Sequence, residues 1–149
     1  MSNVNFSEIA SKYERDSLVQ KSAAEKLINL LRISRNDNVL DLGCGTGHLT
    51  KRIREMTKGK VIGIDSSEGM IKEAQRRNAG IDIIFEIKKA EELDYVEFFD
   101  VIFCNSSFQW FKNPEPIIKS CYRALRKNGR MGIQAPAKKI YCPNFIQGI

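Results

Sequence analysis

Apolar positions along this chain follow two alternating rhythms. Val39-Leu40-Asp41-Leu42, Val61-Ile62-Gly63-Ile64, Ile81 to Ile87, Val101-Ile102-Phe103-Cys104 and Met131-Gly132-Ile133-Gln134 are short, mostly apolar runs. Their length, β-branched content and lack of polar alternation predict five buried strands. Between them, apolar residues recur at three- and four-residue steps, the spacing of an amphipathic helix. That spacing predicts helices over 7–15 and 18–32, the second with Ala23, Leu27, Leu30 and Leu31 on one face. Leu49, Ile53 and Met56 mark another, ended by Lys58-Gly59-Lys60. Met70, Ile71 and Ala74 mark the inward face of the next, capped by Ser66 or Ser67. Pro114 and Pro116 open the last, with Ile117, Ile118, Cys121, Tyr122 and Leu125 on its apolar side and Asn128-Gly129 as its stop.

Strands alternating with helices predict an α/β fold, a doubly wound, mostly parallel sheet covered on both faces. At about 100–200 residues per domain, 149 residues are read as one domain spanning 1–149, with N-terminal helices within 7–32 and a core over 37–134. Apolar residues at 42% and charged residues at 28% exclude a disordered chain, a collagen or a coiled-coil rod. No run of 18 apolar residues is present, so no membrane span is expected. Met1 to Phe6 has neither the basic nor the apolar segment of a secretory leader, which predicts a cytoplasmic location.

Charge and cysteine content narrow the chemistry. The net charge of +6 is uneven: residues 1–111 carry 16 Lys and Arg against 17 Asp and Glu, and residues 112–149 carry 8 against one. Lys119, Arg123, Arg126 and Lys127 fall at helical spacing, with Tyr122 as the only aromatic among them. Such a stripe is a solvated helix face or a patch for an anionic partner. Cys44, Cys104, Cys121 and Cys142 form no CxxC pair and are read as reduced. His48 is the single histidine, which excludes a His-rich metal site, and no metal is expected. It follows the glycines directly and is read as packing or capping rather than as a proton carrier.

The glycines of Gly43-Cys44-Gly45-Thr46-Gly47 end the first strand and open a helix. Ligands of such sheets bind at the carboxyl ends of the strands, near the switch point. Glycine lets backbone approach a ligand closely, and the helix behind aims free N–H groups at it. Asp41 lies two positions before the first glycine, and Asp65 ends the next strand, where an acid can accept both hydroxyls of a ribose. The spacing G-x-G-x-G departs from the dinucleotide pattern G-x-G-x-x-G, whose third glycine falls on His48. The residues after Gly45 are not Gly-Lys-Ser/Thr, which excludes a Walker-type loop.

With those residues in view, Val39 to Gly47 resembles the first motif of class I S-adenosylmethionine-dependent methyltransferases. Gly63-Ile64-Asp65-Ser66-Ser67-Glu68-Gly69-Met70 resembles their second motif. Phe99 to Asn105 resembles the strand-four motif, and Leu125 to Arg130 the turn before strand five. The resemblance covers about residues 10–137. It implies a Rossmann-like sheet, S-adenosyl-L-methionine as cofactor, and a set of contacts. Gly43 and Gly45 would leave room for the methionine part, Cys44 between them would belong to the same cofactor-binding loop, and Asp41 would orient the methionine part through its ammonium group. Asp65 would hold the ribose, Ser66 and Met70 would flank the adenine, Ala90 and Glu91 would meet its edge, and Asn105 would border the transferred methyl. Lys89 departs from the family, which often has Asp there. The family's sheet has seven strands, so the chain is expected to lack the last two.

The acceptor segment is Asn105-Ser106-Ser107-Phe108, not the Asn-Pro-Pro-Tyr of amine and amide methylation. Cys104 has no preceding proline and reads as buried strand rather than as a nucleophile. Phe108-Gln109-Trp110-Phe111 resembles the segment of small-molecule carboxyl methyltransferases such as the trans-aconitate and juvenile hormone acid enzymes. By that resemblance Trp110 and Gln20 would touch an acceptor carboxylate and Tyr13 would help close the entrance, although Trp110 could equally be a core aromatic and Gln20 a solvated one. The function expected is methyl transfer to a small molecule, with a carboxylate as the acceptor favoured. The alternatives are a methyltransferase acting on RNA or protein through the basic segment, and a non-catalytic cofactor-binding module.

Overall fold

The computed structural model describes residues 6–135, with side chains placed from Leu18 onward except Gln20. Elements run α1 (Phe6–Leu31), β1 (Val39–Leu42), α2 (His48–Arg54), β2 (Val61–Asp65), α3 (Glu68–Arg77), β3 (Ile84–Ile87), β4 (Phe99–Asn105), α4 (Pro114–Ala124) and β5 (Leu125–Gln134). Single 3₁₀ turns lie at Ala90–Glu92 and Phe108–Trp110. The five described strands are all parallel in the order β3-β2-β1-β4-β5. The chain steps outward from β1 to β3, then returns to place β4 on the other side of β1. The switch point therefore lies between β1 and β4, which is where a crevice opens in such sheets.

Side-chain alternation in the strands builds two cores. Leu40, Leu42, Ile62, Ile64, Ile102 and Cys104 face α4, whose Ile117, Cys121 and Ala124 are fully buried. Val39, Val61, Val101 and Phe103 face the other way, against Ile28 and Leu31 of α1 and Ile53 of α2. On that side α3 adds Ile71 and Ala74 against Phe85 of β3. This gives three layers. The guanidinium of Arg130 donates to the carbonyls of Leu31 and Arg32 and to Asp37, closing the carboxyl end of α1 onto β5.

Several expectations change. The N-terminal segment is one 26-residue helix rather than two, because no Gly or Pro separates 15 from 18 and Asp16-Ser17 is accommodated within it. α2 stops at Arg54, where the Arg54 guanidinium donates to the Thr57 and Gly59 carbonyls of the following turn. β3 starts at Ile84 rather than Ile81. α4 stops at Ala124, before Asn128-Gly129: the N–H groups of Glu97 and Phe98 take the carbonyls of Arg123 and Ala124, and Leu125 turns extended to pair with Phe99. A register shift follows, with Asn128 at φ +67. Arg126 and Lys127 are therefore on β5, and the basic stripe with Lys119 and Arg123 is not one helix face. Ile118 and Tyr122 are exposed, and Met70 does not pack inward.

Phe103 is fully buried at the centre of β4. Phe103→Ala should destabilise the fold by about 3–5 kcal/mol, the range for a large aromatic truncated in a core. A urea titration followed by circular dichroism reads this, and a loss under about 1 kcal/mol would contradict the packing described.

Candidate functional site

A cleft of about 180 Å³ opens at the carboxyl ends of β1, β2 and β4, lined by Leu42, Gly43, Asp65, Ser66, Ala90, Ser107, Trp110 and Phe111. Gly43 brings the loop 43–47 to the cleft, and that loop has three left-handed residues, Gly43 (φ +77), Gly45 (φ +56) and Gly47 (φ +80). The glycines serve different ends. A Cβ on Gly47 would strike the Phe85 ring and the Asn78 amide, so close packing excludes it. A Cβ on Gly43 would lie 2.3 Å from Ser107 Oγ. The absence of a side chain at Gly43 thus makes room for Ser107, and Gly43 still lines the cleft. Above Gly45 nothing lies within 4 Å of the Cβ position, so its backbone faces open space.

Asp65 ties the loop together. Its Oδ2 accepts from the Gly45 N–H at 3.0 Å, and its Oδ1 accepts from the Ser67 N–H at 2.9 Å. A carboxylate has about four lone-pair sites, so each oxygen keeps one for a further donor in the cleft. Ser67, not Ser66, caps α3, with its side chain accepting from the Met70 N–H. Ser66 is left free to line the cleft.

Asp41 lies below, on the α1–α2 face of the sheet and only 2% exposed. Thr50 of α2 donates its hydroxyl to Asp41 Oδ2 at 2.7 Å. Burial is the largest influence on this carboxyl and pushes it up to about 7; the Thr50 hydrogen bond opposes that, and the charge of Asp65 adds to it. Among the described residues no cation is paired with it.

Cys44 gives its backbone N–H to Ile64, and its thiol packs among Ile71, Ala74 and Phe85, away from the cleft. Burial pushes that thiol up, and likewise Cys104 to about 12 and Cys121 to about 11, so all three are inert buried thiols. Cys142 lies outside the described residues.

Of the residues singled out in the sequence, Gly43, Asp65, Ser66, Ala90 and Trp110 meet in the cleft, and Gly45 borders it through Asp65. Met70 and Glu91 are exposed beside it without lining it. Asn105 ends β4, and its Oδ1 is buried without a hydrogen-bond partner. Trp110 is 77% exposed, so the core-aromatic reading falls. His48 is exposed at the start of α2, where Gly47 is the cap, so it neither packs nor caps. Gln20 and Tyr13 lie on α1 with side chains outside the description. Leu42, Ser107 and Phe111 were missed. Leu42 ends the buried strand β1, and Ser107 and Phe111 follow β4; that placement at strand ends was the signal that could have found them.

The fold and the cleft define a Rossmann-like α/β domain whose ligand crevice sits at the switch point. Residues 33–145 match the family model described as methyltransferase domain. The chain is 31% identical over 129 residues to the malonyl-[acyl-carrier protein] O-methyltransferase of Bacillus cereus, covering 83% of this chain and 48% of that protein. It is 34% identical over 128 residues to the protein of that name from Calditerrivibrio nitroreducens, covering 84% and 50%. The crystal structure of an S-adenosylmethionine-dependent methyltransferase from Mesorhizobium loti has the same fold, with a TM-score of 0.71 at 23% identity over 78% of this chain and 54% of that one. The chain belongs to the methyltransferase domain family. It spans about half the length of the curated relatives it matches.

Two predictions follow from the two acids. The folded-state pKa of Asp41, about 7, lies above its unfolded value of 3.8. The native state then holds a proton that the unfolded chain has lost, so stability falls as pH rises from about 4 to about 7. Asp41→Asn should raise the ligand-free melting temperature at pH 8, and that advantage should shrink as pH falls and be lost near pH 4; a gain independent of pH would contradict the burial argument. Asp65→Ala should loosen loop and cap together, whereas Asp65→Asn keeps one acceptor but turns an amide donor toward the other backbone N–H, so it should destabilise the fold by less than Asp65→Ala. Equal melts for the two variants would show that Asp65 does not hold the loop.

Proposed function

We propose that this chain carries the cofactor half of an S-adenosylmethionine-dependent methyltransferase whose acceptor is a carboxylate, free on a small molecule or borne by a carrier protein. The observation that carries the reading is the meeting of the glycine loop, Asp65 and Trp110 in one cleft at the switch point.

The residues present suit the cofactor. Open space over Gly45 admits its methionine part, and a cation near Asp41 would offset that acid's burial. The spare lone pairs of Asp65 suit a ribose diol. Ser66 and Ala90 line the side that would meet the adenine, with Met70 and Glu91 at its rim. Asn105 Oδ1 offers an unclaimed acceptor behind the methionine end.

S-adenosylmethionine supplies an activated methyl on a sulfonium sulfur. The chain's residues then need to bind and align the acceptor, and alignment alone can supply up to about 7–11 kcal/mol. A carboxylate titrates near 4 and is already ionised at pH 7, so it needs no base. That suits a cleft where Asp65 is the sole titratable residue among the described lining and is engaged with two backbone N–H groups. Trp110 supplies an apolar wall with an indole donor. Gln20 and Tyr13 are proposed to approach from α1. The relatives' name points to malonyl on acyl carrier protein as the first acceptor to try. The RNA or protein reading loses its main support, since Arg126 pairs with Asp100 and Lys119 with Glu115, and the basic residues do not share a helix face.

The test uses labelled S-adenosylmethionine with malonyl-acyl carrier protein, free dicarboxylic acids and alkyl amines. A base-labile methyl ester is expected; transfer to the amines alone would overturn the carboxylate reading. Trp110→Ala should lower ester formation by on the order of a hundredfold, through a misplaced acceptor. Because Trp110 is exposed, that variant should melt close to the wild type. Undiminished ester formation would remove Trp110 from the acceptor pocket.

A further inference from the structure

Ser106 and Ser107 connect β4 to the turn that bears Trp110. Ser106 has φ +57, a conformation L side chains rarely adopt. Three hydrogen bonds hold it there. Its N–H donates to the Gln134 carbonyl at 2.7 Å, its Oγ lies 3.0 Å from Gln134 Oε1, and its carbonyl accepts from the Gln109 side-chain amide at 2.9 Å. Strain kept by surrounding contacts is frequent at functional sites.

The consequence is the placement of Ser107, whose hydroxyl donates to the Gly43 carbonyl at 3.2 Å, with the Asn105 carbonyl as a longer second acceptor at 3.4 Å. This contact is too close for any side chain on residue 43. The Ser107 carbonyl in turn accepts from the Trp110 N–H at 3.0 Å. One residue thus touches the glycine loop through its side chain and the Trp110 turn through its backbone.

We infer that Ser107 is a positioning residue that holds the Trp110 turn in register with the glycine loop, so that a ligand on the loop is felt at Trp110. The second clause rests on the cofactor reading above; the first does not. The Ser107 hydroxyl is the one side-chain link between the two segments among the described residues, and both segments line the same cleft.

Trp110 is the single tryptophan of the chain, so its fluorescence reports this turn alone. Losing one neutral hydrogen bond shifts a held-to-released equilibrium about two- to tenfold. In the ligand-free 149-residue chain, Ser107→Ala should therefore lower the fluorescence anisotropy of Trp110. Ser107→Thr, which restores the hydroxyl, should reverse that change. Gln109→Ala, at an exposed position that does not threaten the fold, should act in the same direction as Ser107→Ala. S-adenosylhomocysteine should shift wild-type Trp110 emission, and Ser107→Ala should bind it by calorimetry with a much smaller shift. Anisotropy and ligand-induced shift equal to wild type in a folded Ser107→Ala chain would overturn the proposal. Absence of S-adenosylhomocysteine binding to wild type, with the ligand-free difference intact, would overturn the cofactor reading and leave the positioning role supported.

Discussion

Two hydrogen bonds to the Asp65 carboxylate set the geometry of everything above the sheet. Gly45 and Ser67 belong to different βα connections, and the acid at the end of β2 takes one N–H from each. The bond to Gly45 fixes the middle of a loop whose three glycines all sit in the left-handed region. The bond to Ser67 fixes the residue that caps α3. Charge-assisted bonds of this kind are about twice as strong as neutral ones, so a single side chain holds loop and helix start together. Asp65 is also in the wall of the cleft, so the same side chain that holds the loop and the helix start faces the ligand space.

The two acids of the site differ in environment, and the difference divides their roles. Asp65 is half-buried and satisfied by backbone donors, with acceptor capacity to spare. Asp41 is deep in the α1–α2 face with one hydroxyl donor, and its burial costs stability near neutral pH. Such a cost persists in a fold where function uses it, and a cationic ligand would offset it. The proposed cofactor carries positive charge on its ammonium and sulfonium groups, which fits an acid that is poorly compensated without it.

The strands were legible in the sequence because β1, β2 and β4 are central, and strands buried on both faces read as unbroken apolar runs. The glycine loop and Asp65 were legible for a related reason: a run that ends in alternate glycines and one that ends in an acid both mark strand ends. What was hidden depended on tertiary contacts. The end of α4 is decided by donors from Glu97 and Phe98, 26 residues away, and no local stop signal records them. Met70 and Tyr122 fit helical periodicity yet stay exposed, because periodicity names a face without showing what covers it. Gly43 was legible as a glycine, but its reason, the hydroxyl of Ser107 across the switch point, needed the fold. The left-handed turn at Ser106 likewise depends on Gln134 and Gln109, partners that the serine itself does not advertise.

The central claim is that the loop 43–47 and Asp65 form the seat of S-adenosylmethionine. Amide-resolved NMR of the ¹⁵N-labelled chain, titrated with S-adenosylhomocysteine, tests it most directly. The account predicts saturable shifts concentrated at the amides of Gly43, Gly45, Gly47, Asp65, Ser66 and Ala90. Shifts confined instead to the second, larger cleft at the other end of the sheet, around Arg123, Arg126 and Gly129, would contradict it.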